Sequence, residues 1–266
     1  MRRTIALLTT MALTLLVATS VAMAAVITCP TAQNPPGTCR GTANADTMTG
    51  TNGTFRDAPG ENLHGDIIDS FRGGDTLNAR KANDTLNGGQ GNDTLNGGVD
   101  NDTYLFEDGW GVDTITGDAS GKDTLDFSKL TQSVVVKTVP SAPSNRAKSG
   151  TNTLNWDSTG LVERIIGGAG NDIFYGPNVD TSLIGAAGND VLVGGNASDF
   201  LSGGVGSDLF VGAAGNDTIR ASDRGADGQI LCGAGFDTVF YDQDLDFPDQ
   251  FRDCEKKIVT RFHTTN

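Results

Sequence analysis

An all-β solenoid, made by stacking one short unit many times, is the fold class this chain predicts. Aspartates recur every nine residues at Asp57, Asp66, Asp75, Asp84, Asp93 and Asp102, and a second series stands at Asp172, Asp190, Asp199, Asp208 and Asp217. An apolar residue follows most of them by two places, as Leu77, Leu86, Leu95, Leu192, Leu201 and Phe210 do. With 36 glycines and only 6% aromatic residues, the 266-residue chain is poorly supplied for an ordinary globular core. A repetitive architecture with some further stabiliser is therefore expected. A disordered acidic linker would share this composition but would not fix the apolar position.

The cleanest unit is Gly88-Gly89-Gln90-Gly91-Asn92-Asp93-Thr94-Leu95-Asn96. Its glycines let the backbone take positive φ values and turn sharply, leaving carbonyl oxygens directed inward. The last three residues are long enough only for a very short strand, whose middle side chain points inward while its neighbours point outward. Each unit is thus half turn and half strand.

The chain begins with Arg2 and Arg3, an apolar run from Ile5 to Val21, and Ala22-Met23-Ala24 before Ala25. This is the pattern of a cleavable secretory signal peptide over residues 1–24. The run contains several threonines and is short for a spanning helix, so the mature chain is expected to be secreted without a membrane span. Residues 25–40 form an N-terminal segment holding Cys29 and Cys39. The remaining cysteines, Cys232 and Cys254, bracket the end of the repeats. Export and proximity in sequence favour the bridges Cys29–Cys39 and Cys232–Cys254. A zinc site, the competing use, lacks C-x-x-C spacing, and the only histidines are His64 and His263.

Residues 41–126 form a first repeat block. A leading unit carries Asp46 and Met48, regular units follow over residues 61–105, and looser ones centre on Asp113 and Asp123. Asp57 has Pro59 where the apolar residue should stand and is not expected to be a true unit. Residues 127–166 break the period; Val134–Val136 and Thr153–Trp156 read as strands of a bridging β segment. A second block occupies residues 167–240, strictly periodic to Arg220 and closed by a unit with Asp237. The tail, residues 241–266, is tied by Cys254 and is expected to hold a short helix.

The quoted units resemble the RTX, or haemolysin-type, calcium-binding repeat family. That resemblance implies a right-handed parallel β-roll in which two units make one coil, with calcium between turns eighteen residues apart. The implied metal ligands are Asp66, Asp75, Asp84, Asp93, Asp102, Asp113 and Asp123 in the first block, and Asp172, Asp190, Asp199, Asp208 and Asp217 in the second. The strongest pairs are Asp75/Asp93, Asp190/Asp208 and Asp199/Asp217. Pairs using Asp84 are expected to be weak, because its unit lacks the turn glycines and carries Arg80 and Lys81. Thr181 stands where a ligand to pair with Asp199 should be. Several Ca2+ ions suit hard oxygen donors of this kind, and they would neutralise an acidic chain.

The formal charge is −14, and removal of residues 1–24 takes it to −16, with 17 basic residues against 33 acidic. Nucleic acid is not expected as a partner on this net charge. No H-E-x-x-H or G-x-S-x-G occurs, so a non-enzymatic protein with a structural or adhesive role is expected. A β-solenoid polysaccharide lyase is the enzymatic alternative. In the second block, positions seven and nine of alternate units give an outer apolar stripe of Ile173, Tyr175, Val191, Val193, Leu209 and Val211. The stripe is expected to be covered by the bridging strands or the tail, or else to contact a protein, a cell surface or a second copy.

Overall fold

The computed structural model describes residues 26–28, 38–40, 47–49, 65–116, 120–138, 145–156, 162–222, 227–242 and 251–260. The expected signal peptide, Asp46, Asp57, Cys29 and both histidines lie outside these residues. Short strands alternate between two long sheets, one of thirteen strands and one of eleven, and a third sheet has two. Thr76–Lys81 of the first sheet pairs in parallel with Thr94–Val99, with Leu77 opposite Leu95. In the second sheet Ile67–Asp69 pairs with Thr85–Asn87, placing Ile68 opposite Leu86. One coil therefore consumes two nine-residue units, and residues eighteen apart become neighbours. The chain is a parallel β-solenoid.

Counting the aspartate as position six of the nine-residue unit, the apolar residue at position eight fills the space between the sheets. Leu77, Leu86, Leu95, Tyr104, Leu125, Phe174, Leu183, Leu192, Leu201, Phe210 and Ile219 are all fully buried. Burying one such side chain is worth about 1.5–3 kcal/mol, so the core is a column to which every coil adds two residues. Where the spacing slips, the extra residues hold a cluster of Phe106, Trp110 and Phe127, with ring centroids 4.9–5.6 Å apart. This cluster seals the column at the end of the first block.

The bridging segment is part of the sheets. Asn152–Trp156 pairs in parallel with Val112–Ile115 and antiparallel with Asn145–Ser149. Asn145–Ser149 then pairs antiparallel with Val135–Lys137, which is parallel to Ile173–Tyr175. In the other sheet the single strand Val162–Ile166 links Asp123–Asp126 to Ser182–Ala187. Both sheets thus run unbroken from the first block into the second.

Two expectations fail. The tail is not helical in its described part: Phe251–Arg252 and Lys256–Val259 extend the two sheets by pairing with Ile230–Ala234 and Thr238–Tyr241. The last coil offers unpaired backbone groups along its edge, and an added strand satisfies them. The Cys232–Cys254 bridge fixes the tail there. Nor do the bridging strands or these tail strands cover the apolar stripe, because they join the sheet edge to edge. Ile173, Val191, Val193, Leu209 and Val211 are half-buried, and Tyr175 is 41% exposed.

Candidate metal centre

The aspartates stand at the turn entering each strand and form two ladders, one along each side of the solenoid. On one side Asp75 N–H donates to Asp93 Oδ1 at 2.8 Å, and Asp93 N–H donates to Asp113 Oδ1 at 2.9 Å. After the bridging hairpin the same side continues through Val134, Asp172, Asp190, Asp208 and Asp227, each N–H donating to the next carboxylate at 2.7–3.0 Å. The other side runs from Asp66 through Asp84, Asp102 and Asp123 at 2.5–2.8 Å. There Asp123 N–H reaches Glu163 Oε2 at 3.0 Å. Further on, Thr181 N–H donates to Asp199, Asp199 N–H to Asp217, and Asp217 N–H to Asp237, all at 2.8 Å. Asp237 N–H ends the series on Glu255 Oε2 at 2.9 Å.

All six pairs expected at a spacing of eighteen are brought together, and all twelve expected aspartates lie buried in these ladders. Asp227, Glu163 and Glu255 are additional members, and Asp237, expected as the aspartate of the closing unit, joins the ladder as well. Asp227 sits at nineteen residues from its neighbour, Asp237 at twenty, and Glu163 and Glu255 take the place of an aspartate. The unit of Asp84 keeps its turn despite lacking glycines, with Arg80 at φ 86° and Ala82 at φ 92°. Thr181 preserves the backbone hydrogen bond but supplies no carboxylate.

The second carboxylate oxygen is what makes the ladders chemically incomplete. Oδ2 of Asp84, Asp93, Asp190, Asp199, Asp217 and Asp237 is buried and accepts no hydrogen bond. Burial is the main cause that pushes Asp84 and Asp113 up to about 8, Asp93, Asp190 and Asp199 to about 7, and Asp172 and Asp217 to about 6. The backbone donors pull these values down, while neighbouring carboxylates raise most of them further. Buried carboxylates like these six, each with one oxygen left without a hydrogen bond, call for protons or for cations.

Where the first residue of a unit is glycine, it leaves room for that oxygen. A Cβ on Gly88, Gly185 or Gly194 would fall 2.5, 2.1 or 2.5 Å from the Oδ2 of Asp93, Asp190 or Asp199 in its own unit. Turn glycines also press against the carbonyls of the preceding coil: a Cβ on Gly91 would meet Gly73 O, and one on Gly206 would meet Gly188 O. Carboxylate and carbonyl oxygens are the donors at these turns. Among the described residues no three His, Cys, Asp or Glu side chains gather at one point, so a cation would draw many of its ligands from the backbone. A donor set of hard oxygens alone fits calcium and excludes the usual zinc environments.

A further ladder lies beside the first. At the position before the aspartate, Asn171 Oδ1 accepts from Asn189 N–H at 2.8 Å, and Asn189 Oδ1 accepts from Ser207 N–H at 2.9 Å. Asn83, Asn92, Asn101, Asp180 and Asn216 behave in the same way. The aspartate thus accepts from the coil before and the asparagine from the coil after. The recurring Asn-Asp dipeptide was the available signal for this second ladder.

A parallel solenoid with carboxylates repeated at its turns defines the class of calcium-binding nonapeptide β-rolls. The family model of the RTX calcium-binding nonapeptide repeat matches four copies in this chain, over residues 69–104, 159–176 and 184–219. The chain thus carries repeats similar to those of the RTX calcium-binding family. No curated protein matched it.

Proposed function

We propose that this chain is a secreted, non-enzymatic structural or adhesive module, closed by disulfides, whose two repeat blocks at residues 41–126 and 167–240 fold around several calcium ions. The observation that supports this most directly is the pair of buried carboxylate ladders with unpartnered oxygens. The proposed ligands are Asp66, Asp75, Asp84, Asp93, Asp102, Asp113 and Asp123, then Asp172, Asp190, Asp199, Asp208 and Asp217, with Asp227 and Asp237 added. Bound calcium supplies two positive charges and accepts six to eight oxygen ligands. Each Oδ1 would stay on its backbone donor and fix the carboxylate, leaving Oδ2 and the turn carbonyls as the oxygens that would hold the cation. Extracellular calcium modules have dissociation constants on the order of 10⁻⁴–10⁻³ M, so folding would be completed only after export.

A calcium titration of the disulfide-bonded mature chain, followed by far-UV circular dichroism and calorimetry with magnesium as control, tests the reading. A cooperative gain of β signal in calcium alone is expected. An unchanged spectrum without calorimetric binding would remove the calcium assignment and leave a metal-free solenoid. A partner-binding role has its own support in the half-exposed stripe of Ile173, Tyr175, Val191, Val193, Leu209 and Val211.

A further inference from the structure

Charge is segregated between the two sheets. The described strands of the thirteen-stranded sheet contain one acidic residue, Asp113, and it is buried. The same strands carry Arg80, Lys81, Lys137, Arg146, Lys148 and Arg252, all exposed. In a chain of formal charge −14, the outward positions of these described strands carry no carboxylate. The eleven-stranded sheet differs, since Asp69, Asp126 and Glu163 are part-exposed on its strands among cations such as Arg164 and Arg220.

Three of the cations are forced together by register. Lys137 lies directly opposite Arg146 in an antiparallel pair, and Lys148 stands one step along, opposite Val135. Like charges directly opposite one another destabilise a sheet. None of the three has a carboxylate partner among the described residues. The next strand begins the apolar stripe: Lys137 pairs with Tyr175, whose ring centroid is 5.8 Å from its Nζ, and Tyr175 pairs with Val193. Where the basic and apolar bands meet, a cavity of about 330 Å³ opens between Lys137, Tyr175, Val193, Gly176, Gly194 and Gly195.

We propose that this face docks on an anionic phospholipid surface, with Lys137, Arg146 and Lys148 at the headgroups and the stripe around Tyr175, Val193 and Val211 against the acyl boundary. One sheet face carries its cations and its apolar side chains on neighbouring strands, which suits an interface where charge lies beside hydrocarbon. An aromatic residue with a polar tip is suited to that boundary. A peptide adding as a strand would need a sheet edge, and this is a sheet face. A second copy offers no acidic sheet to match it, because the acids of the other sheet are interspersed with cations. The far sheet does not cancel the attraction: sheets stack about 10 Å apart, and the Debye length is about 8 Å in physiological salt. The docking face is set by strand register and does not depend on which aspartates hold calcium.

The test is co-sedimentation of the full, disulfide-bonded protein in millimolar calcium with phosphatidylglycerol-containing vesicles and, separately, with phosphatidylcholine vesicles. Binding to the anionic vesicles alone, falling steeply with salt, is expected. Each basic residue near an anionic surface contributes about fivefold in partition, so the triple variant K137Q/R146Q/K148Q should lose about 100-fold. Val193→Asn should also weaken binding while leaving its salt dependence intact. The control R164Q/R220Q, on the other sheet, should bind as the parent does, and circular dichroism shows whether each variant is folded. Equal binding to neutral vesicles, or a triple variant that binds normally through calcium bridges to the acidic turns, would overturn the proposal. Sedimentation without vesicles, abolished by the triple variant, would also overturn it by assigning the face to a second copy.

Discussion

Asp190 is the residue at which protons, calcium and fold stability can be separated. Its Oδ1 accepts Asp172 N–H at 2.7 Å, its own N–H donates to Asp208 Oδ1 at 2.8 Å, and its Oδ2 is buried without a partner. Burial, opposed by the Asp172 backbone donor and reinforced by Asp208 and Asp172, raises its pKa from 3.8 to about 7. A group raised in this way contributes stability that is fully present below 3.8 and lost as pH rises through about 7. The rise of roughly three units corresponds to at most about 4 kcal/mol, and because Asp172 and Asp208 titrate with it, the share of Asp190 alone is about 1–2 kcal/mol. Asp190→Asn keeps an oxygen for Asp172 N–H and removes the charge. In chelator at about pH 8 it should therefore stabilise the fold by about 1–2 kcal/mol, and near pH 4 it should have no such benefit. In calcium the sign should reverse, because a charged ligand is lost and affinity follows ligand charge, with at least about a tenfold weaker site. Urea unfolding of parent and variant, with and without calcium at both pH values, measures all four terms. An equal loss of stability in chelator and in calcium would refute the reasoning and reduce Asp190 to a hydrogen-bond acceptor.

Other positions give independent checks. Gly203→Ala places a methyl 1.9 Å from Asp208 Oδ2 without needing an unusual φ; calorimetry should find weakened calcium binding, and unfolding a cost of about 1–3 kcal/mol. Ala213→Gly relieves a positive φ of 80° and should stabilise the protein by about 1 kcal/mol in thermal unfolding, since left-handed backbone costs a non-glycine residue about that much. Removing the Cys232–Cys254 bridge, which spans 22 residues, should cost about 3 kcal/mol and expose the tail strands to limited proteolysis.

The regular part of this molecule was legible because period nine couples three local requirements. A turn needs glycine, an inward strand position needs an apolar residue, and the carboxylate stands two places before it. Spacing supplied the unit, and the two-unit coil implied by the family resemblance then placed Leu77 with Leu95 and Asp75 with Asp93. The asparagine ladder was overlooked because a position that bonds the following coil looks like an ordinary turn residue in a single unit. Glu163 was beyond reach for another reason: it meets Asp123 across 40 residues and a register shift.

By itself the sequence determined the nine-residue unit and its inward apolar position, because both follow from interactions within one unit; the stacking of aspartates eighteen apart was implied by the family resemblance and is set by the strand register. Tertiary structure decided how the period was carried across its interruptions. The hairpin of residues 135–156 enters one sheet while a single strand crosses the other, and the tail becomes two more strands because an open sheet edge pairs whatever chain is tied beside it. It also decided the charge of each face. Whether a lysine at 137 meets an arginine at 146 or an acid is set by antiparallel register, which no repeat period encodes.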